Sequence, residues 1–553
     1  MELRPSGVLL ALALASTLPG CDDGSGVSET ASENAAEPLA PIGPVDIRTA
    51  PFDPGLFVRS ATYTPSGRVL VTYADEERAS ERTISLATMN DDGTAVRTFY
   101  EGTLPERPQD NGVRFMVFPD NERIFLGDFV LECAAPLEEC REPALLPVAY
   151  PAEIAAGDHI MFRWSEMIIA PDNRSVAWTT LLANLAAVVF TGKLERNDDG
   201  YVIEDAQIVS SIDPFVPDPQ HSDGVIPEPV RGGEVKQFVD GGRAMSSVAI
   251  GRRELPDSVI QHLRSGEMEA VTDTPSYTET TILSPDERLG ITMTTAFSPR
   301  TNLAVLGLVP RPYPDSLNMG LNMFAYTYGV TGVRRERAGN IGPALIDLAE
   351  SRDGDGFSAI NLNADPDWVY RSPMSWHPDG TKAMWLERRR EGGSRRIRIV
   401  ELPQYTPRAG VAAAQTPVDI PYAIADLSVV KDYATKGHDV DVKVYGRHSG
   451  YIEYRRTPRK IVKSYVDFSD DGASVFSGME TTSANPSGTS TYAADLTLSG
   501  SVSGRMDLQI TFGPLGGELP ARIIFEQGED GQPQSYGFAE YGDQRLEVSN
   551  LLP

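Results

Sequence analysis

Histidine is scarce in this chain. Its six copies run from His159 to His448, and none stands in a His-x-x-x-His or Glu-x-x-His arrangement. That spacing sets two ligands on one helix face around zinc, so a helix-borne metal site is not expected and no cofactor is implied. The pentapeptide Gly-x-Ser-x-Gly, which lifts a hydrolase serine onto a strand-to-helix turn, is missing as well. Positive charge is in deficit: 49 Lys and Arg stand against 78 Asp and Glu, a formal net charge of -29. Nucleic acid as main partner is excluded on that ground, because phosphate binding needs a clustered positive surface. Long apolar runs do not compensate, since Val8–Ala15 is too short to span a bilayer. Cysteine is limited to Cys21, Cys133 and Cys140.

What is present begins with a targeting segment. Arg4 and the apolar run Val8–Ala15 read as a signal peptide over residues 1–20. The following "LPGC" (Leu18–Cys21) resembles the bacterial lipobox, which implies that Cys21 carries a lipid and that the mature chain is anchored in the cell envelope, outside the cytoplasm. An ordinary secretory signal cut nearby is the other reading. Residues 21–47, rich in Ser, Glu, Ala and Pro without hydrophobic periodicity, read as a flexible tether. In that compartment Cys133 and Cys140 are expected to close "CAAPLEEC" as a small disulfide loop, with no histidine or third cysteine nearby for a metal.

A repeat makes the rest legible. Apolar residues, a Pro-Asp-Gly-like turn and a short apolar run recur as "YTPSGRVLVTY" (Tyr63–Tyr73), "VFPDNERIFLG" (Val117–Gly127), "IAPDNRSVAWT" (Ile169–Thr179), "LSPDERLGITM" (Leu283–Met293) and "WHPDGTKAMWL" (Trp376–Leu386). "FVDGGRAMSSV" (Phe238–Val248) is a degenerate copy. Proline presets the first corner, Asp or Ser caps the turn, and Gly or Asn accepts positive φ. "NDDG" follows at a fixed phase, at Asn90–Gly93 and Asn197–Gly200, and marks a second hairpin per unit. Four strands per unit predict an all-β fold, a six- or seven-bladed β-propeller over residues 48–430, the seventh blade being a degenerate unit near Tyr326–Asn340. The frame resembles that of TolB-like propellers, which implies the fold and leaves the function open, because such propellers serve binding proteins and enzymes alike.

Residues 446–553 alternate apolar and polar positions between Gly-rich turns and read as a smaller antiparallel β-domain, an extra blade being the other possibility. Leu255–Met268 is the one short helix expected. "SRDGDGFSAINL" (Ser351–Leu362) keeps only part of a calcium-loop pattern and reads as a solvated acidic turn. The basic run Tyr454–Tyr465 reads as a strand with a charged solvent face.

Function is therefore sought in the long connections on the face away from the Pro-Asp turns. Ser210–Val235 and Leu308–Gly329 are the two longest, and they supply His221, Asp223, Arg231, Arg311, Tyr313 and Asn318 as recognition-surface candidates. The expectation is a monomeric envelope lipoprotein that binds or scaffolds a protein or glycan partner, with no catalytic residues. The alternative is a lyase- or hydrolase-type enzyme with its site in the central funnel, where a propeller can gather distant histidines. His377, within "WHPDG", looks catalytic in isolation. The aligned copies place Thr64, Phe118, Ala170 and Ser284 at its position, so it is read as part of the turn.

Overall fold

A computed structural model describes residues 42–552, except 76–81, 107–113, 156–158, 162, 165, 183–186, 213–214, 299, 301, 314–318, 336, 353–357, 431–438, 458, 486 and 515–521. Each of the six repeat copies folds as the first two strands of one blade. Blade 1 is Phe57–Tyr63, Val69–Ala74, Thr83–Met89 and Arg97–Thr103, paired in that order. Blade 2 is Phe115–Val117, Arg123–Leu126, Phe129–Glu132 and Ala144–Ala149; blade 3 is Ile168–Ile169, Ser175–Leu182, Ala187–Asn197 and Gly200–Ile208. Blade 4 is Glu234–Val239, Ala244–Ile250, Pro256–His262 and Met268–Ala270; blade 5 is Thr278–Leu283, Leu289–Thr294, Gly342–Asp347 and Ala359–Asn361. Blade 6 takes three strands, Trp368–Trp376, Lys382–Arg389 and Arg395–Glu401, from the end of the repeat region. Its outer strand is Asp46–Ala50, from the start of the described chain, in register from Asp46 opposite Glu401 to Ala50 opposite Ile397. The two ends of the repeat region thus meet within one sheet, and the ring closes as a six-bladed β-propeller.

The turn chemistry follows the repeat. A residue with positive φ stands at the equivalent corner of all six copies: Gly67, Asn121, Asn173, Gly242, Glu287 and Gly380. The preceding aspartate caps the corner by accepting backbone N–H groups, as Asp172 does from Arg174 and Ser175 and Asp379 from Thr381. Second strands such as Val69–Ala74, Ser175–Leu182 and Leu289–Thr294 are buried along their whole length, because neighbouring blades cover both faces of the sheet. Side chains also tie blade to blade. The Tyr63 N–H donates to Ser375 Oγ at 2.9 Å, the Leu283 N–H to Gln237 Oε1 at 2.8 Å, and Trp376 Nε1 to the Ile282 carbonyl at 2.8 Å.

Three expectations are corrected. There is no seventh blade at Tyr326–Asn340. That stretch belongs to an insertion between the second and third strands of blade 5, with helices at Ala304–Gly307, Met319–Tyr326 and Val333–Arg335 and a π-helical turn at Thr327–Gly332. The long final interval between copies holds this insertion, not an unseen repeat. Leu255–Met268 is not a helix: Pro256–His262 is the third strand of blade 4, paired on both sides, and strand pairing overrides the weak local periodicity. The third correction concerns the C-terminal sheet. It starts at Val440–Tyr445, ahead of Gly446, and continues as a meander through Ser449–Thr457, Lys460–Ser469, Ser474–Ser483, Ser490–Gly500, Gly504–Phe512, Tyr536–Tyr541 and Gln544–Glu547. Phe215–Pro217 and Gly224–Pro227, from the connection between blades 3 and 4, extend this sheet to ten strands, Gly224 pairing with Lys443 and Val225 with Val444 in parallel.

The sheet sits on the face opposite the Pro-Asp turns, packed against the blade 5 insertion within one continuous core. Phe324 stacks on Phe512 with ring centroids 4.1 Å apart, and the Tyr328 hydroxyl donates to the Leu551 carbonyl. On the other face, the chain leaving blade 6 doubles back across the turns. Tyr405 donates to Asp286 of blade 5 at 2.8 Å, the Ala414 N–H to Gly241 of blade 4, and Ile424 pairs with Ile208 of blade 3. Cys133 and Cys140 form a disulfide inside blade 2, with Cα atoms 5.6 Å apart.

Candidate functional site

The six inner strands enclose a channel with a cavity of about 660 Å³. Five repeat prolines, Pro65, Pro119, Pro171, Pro285 and Pro378, ring one end, and Tyr326 and Arg334 of the blade 5 insertion line the other. The inner strands end in their turns at the proline end, so residues at their starts lie toward the insertion. That is where the charges gather: Arg114 on blade 2, Glu166 before the inner strand of blade 3, Glu234 and Lys236 on blade 4, Glu279 on blade 5, and Arg334.

Lys236 organises the acidic half. Its ammonium lies 2.5 Å from Glu234, and burial, which would lower its pKa, is outweighed by Glu234, Glu166 and Glu279, so its charge is held more firmly than in water. Burial would also push the Glu166 carboxyl up, yet Lys236 and Arg114, the latter 3.9 Å away, keep it below the usual range. Glu279 goes the other way. Burial raises it, the neighbouring Glu234 adds to that, and Lys236 and Arg334 only partly compensate. The Tyr277 hydroxyl donates to Glu279 at 3.4 Å.

The basic half belongs to blades 2 and 6 and the insertion. The Arg334 guanidinium lies 5.8 Å from the centre of the Tyr370 ring, and its Nε is buried without a hydrogen-bond acceptor. Arg371, next to Tyr370 in the inner strand of blade 6, is pulled down to about 9, first by burial and then by Arg334, Arg395, Arg388 and Arg114. Among the described residues, no histidine lines the cavity. Among the described residues, no three His, Cys, Asp or Glu side chains gather closely enough to hold a metal ion.

The residues proposed from sequence lie elsewhere, and most of them fasten the C-terminal sheet. Asp223 accepts from Lys443 at 3.1 Å and from Tyr445 at 3.0 Å, while His221 stacks on Tyr445 with centroids 3.9 Å apart and meets Asp218 at 2.7 Å. Arg311 is fully buried, 3.1 Å from Glu480, and donates to the carbonyls of Val309 and Leu306. Tyr313 is buried between Phe215 and Tyr454. Arg231 lies over the Tyr422 ring, 4.6 Å from its centroid. Arg311 and Tyr313 therefore do not form an open recognition surface, because the C-terminal sheet packs over them. Asn318, Cys21 and the acidic turn at residues 353–357 fall outside the described residues. The basic run Tyr454–Tyr465 is split: Arg455 faces solvent beside Asp441, while Lys463 points inward to a buried pair with Glu254 at 2.5 Å.

His377 behaves as a turn residue. Its ring meets Asp379 at 2.8 Å and stands edge-on to Tyr63 of blade 1, with centroids 5.0 Å apart. The channel charges were missed by reading turns alone. A signal was available just upstream of the turns, since Arg114, Glu166 and Glu279 stand five or six positions before the repeat proline of their own blade.

Among solved structures, the chain is similar to a putative TolB from Agrobacterium tumefaciens, at 12% identity and a TM-score of 0.32, covering 55% of this chain and 79% of that one. It is similar to TolB from Acinetobacter baumannii at 12% identity, covering 66% of each chain with a TM-score of 0.28. Prolyl oligopeptidase B from Galerina marginata matches at 8% identity with a TM-score of 0.30, over 74% of this chain and 55% of the peptidase. No family model and no curated protein matches the sequence. Among the described residues, no helix is long and apolar enough to cross a membrane.

Proposed function

We propose that the protein is a monomeric, lipid-anchored binding protein of the cell envelope, tethered through Cys21, whose propeller holds a protein or glycan partner at the central channel. The observation that carries the binding reading is the channel itself. Charged side chains from blades 2, 3, 4 and 5 meet around a cavity of about 660 Å³, where a few fixed polar groups can orient a ligand. The C-terminal sheet occupies the long connections on one face, so the channel replaces those loops as the ligand seat. The anchoring reading rests on the Leu18–Cys21 sequence.

The second reading is a funnel enzyme. It is favoured by Glu279, whose raised carboxyl, in contact with Tyr277, suits a proton donor. No nucleophile with an adjacent base is part of this reading.

Two measurements test the proposal. Labelling with a radioactive fatty acid should mark the wild-type chain and leave Cys21→Ala unlabelled and released from membranes. Envelope components captured by the full chain from detergent-solubilised envelopes should be lost with Lys236→Met. Capture unchanged by Lys236→Met removes the channel from the proposal, and labelling of Cys21→Ala removes the anchor.

A further inference from the structure

The charge of the channel is divided. On the blade 3, 4 and 5 side, three glutamates share Lys236. On the other side, Arg114 and Arg334 line the cavity, while Arg371, next to the lining residue Tyr370 in the inner strand of blade 6, does not. Arg114 has only a distant partner, Glu166 at 3.9 Å. Among the described residues, neither Arg334 nor Arg371 has a carboxylate within ion-pair distance.

We propose that Arg114 and Arg334 form a seat for an oxyanion, the carboxylate or phosphate group of the ligand that the channel holds. This rests on the reading of the channel as a binding site and names the chemistry it recognises. The two guanidinium groups are only loosely balanced by carboxylates, Glu166 at 3.9 Å from Arg114 and Glu279 acting on Arg334 from beyond ion-pair distance, which leaves N–H groups that an oxyanion accepts in pairs. Arg334 carries the geometric part of the argument. It comes from the insertion that caps the channel, its Nε donor is buried without an acceptor, and the Tyr370 ring supports its guanidinium plane. The depressed Arg371 is consistent, because the largest charge effects on it all come from other arginines. The glutamates opposite set the selectivity: a simple dianion gains at the arginines and is repelled across the channel, whereas a ligand with an amine beyond its oxyanion meets both halves.

The test is thermal unfolding of the full-length chain at constant ionic strength, titrated separately with inorganic phosphate and with acetate against chloride. The expected result is a saturable rise in midpoint with one of the two oxyanions. The apparent affinity should weaken at least tenfold in Arg334→Gln and in Arg114→Gln. A response to phosphate alone assigns a phosphoryl group, and a response to acetate alone assigns a carboxylate. No saturable response to either ion, or equal responses in wild type and Arg334→Gln, overturns the oxyanion seat. Loss of envelope capture in Lys236→Met alongside a flat anion titration leaves the channel as the binding site and removes only its proposed chemistry.

Discussion

Arg311 of the blade 5 insertion and Glu480 of the C-terminal sheet meet at 3.1 Å in a seam that water does not reach, with Arg311 fully buried. Tyr465 and Tyr492 donate to the two carboxylate oxygens of Glu480 at 2.7 and 2.6 Å, and Lys463 pairs with Glu254 close by. Two cations and two anions are sealed together without net charge. Removing one leaves the others unpaired in a dry seam. Arg311→Ala is expected to cost about 3–5 kcal/mol, read from urea unfolding. Arg311→Met with Glu480→Leu, which removes the central pair together, should recover most of that loss.

The same seam sets an acid limit. Burial alone would raise the Glu480 carboxyl, but Arg311, Lys463 and the two tyrosine hydroxyls hold it below the usual range. The unfolded chain therefore binds the Glu480 proton at a higher pH than the folded chain does. The stabilisation is complete above the unfolded value of about 4.3 and is lost as pH falls through the folded one. Urea midpoints measured from neutral pH downward should fall more steeply below about pH 4 in wild type than in Glu480→Gln. Parallel curves would refute this.

His377 packs and caps. His377→Ala should lower stability by about 1 kcal/mol, the scale of one aromatic edge contact, and leave capture of envelope components as in wild type. Loss of capture with unchanged stability would return His377 to the functional residues.

The ring is closed by Asp46–Ala50. A chain beginning at Pro51 leaves the strand Arg395–Glu401 as an open edge and should lose about 2–5 kcal/mol in hydrogen bonding over those pairs. It should also self-associate through that edge. Size-exclusion chromatography and urea unfolding read the two effects, and a fully stable monomer would show that closure lies elsewhere.

Cys133 and Cys140 close a short loop within blade 2. Cys133→Ser with Cys140→Ser should cost about 2–3 kcal/mol, as expected for a small closed loop, measured by urea unfolding under non-reducing conditions.

The sequence by itself determined the blades. A Pro-Asp turn with a positive-φ corner can be built from neighbouring residues, and the second strand after it reads as an apolar run because both of its faces are covered. Six copies in the sequence are six blades in the structure. The tertiary structure alone decided the rest. The last blade is completed by Asp46–Ala50, some 350 residues from its partner strand, and no local pattern can announce such a pairing. Arg311 and Tyr313 looked like loop residues, and they are buried because a sheet formed from the end of the chain folds over them. Arg114, Glu279 and Arg334 are unremarkable in sequence and come together only because ring closure points the starts of several inner strands at one axis and the blade 5 insertion reaches the same end of the channel. A turn records its own chemistry, while a site made from one residue per blade exists only once the blades are arranged around a centre.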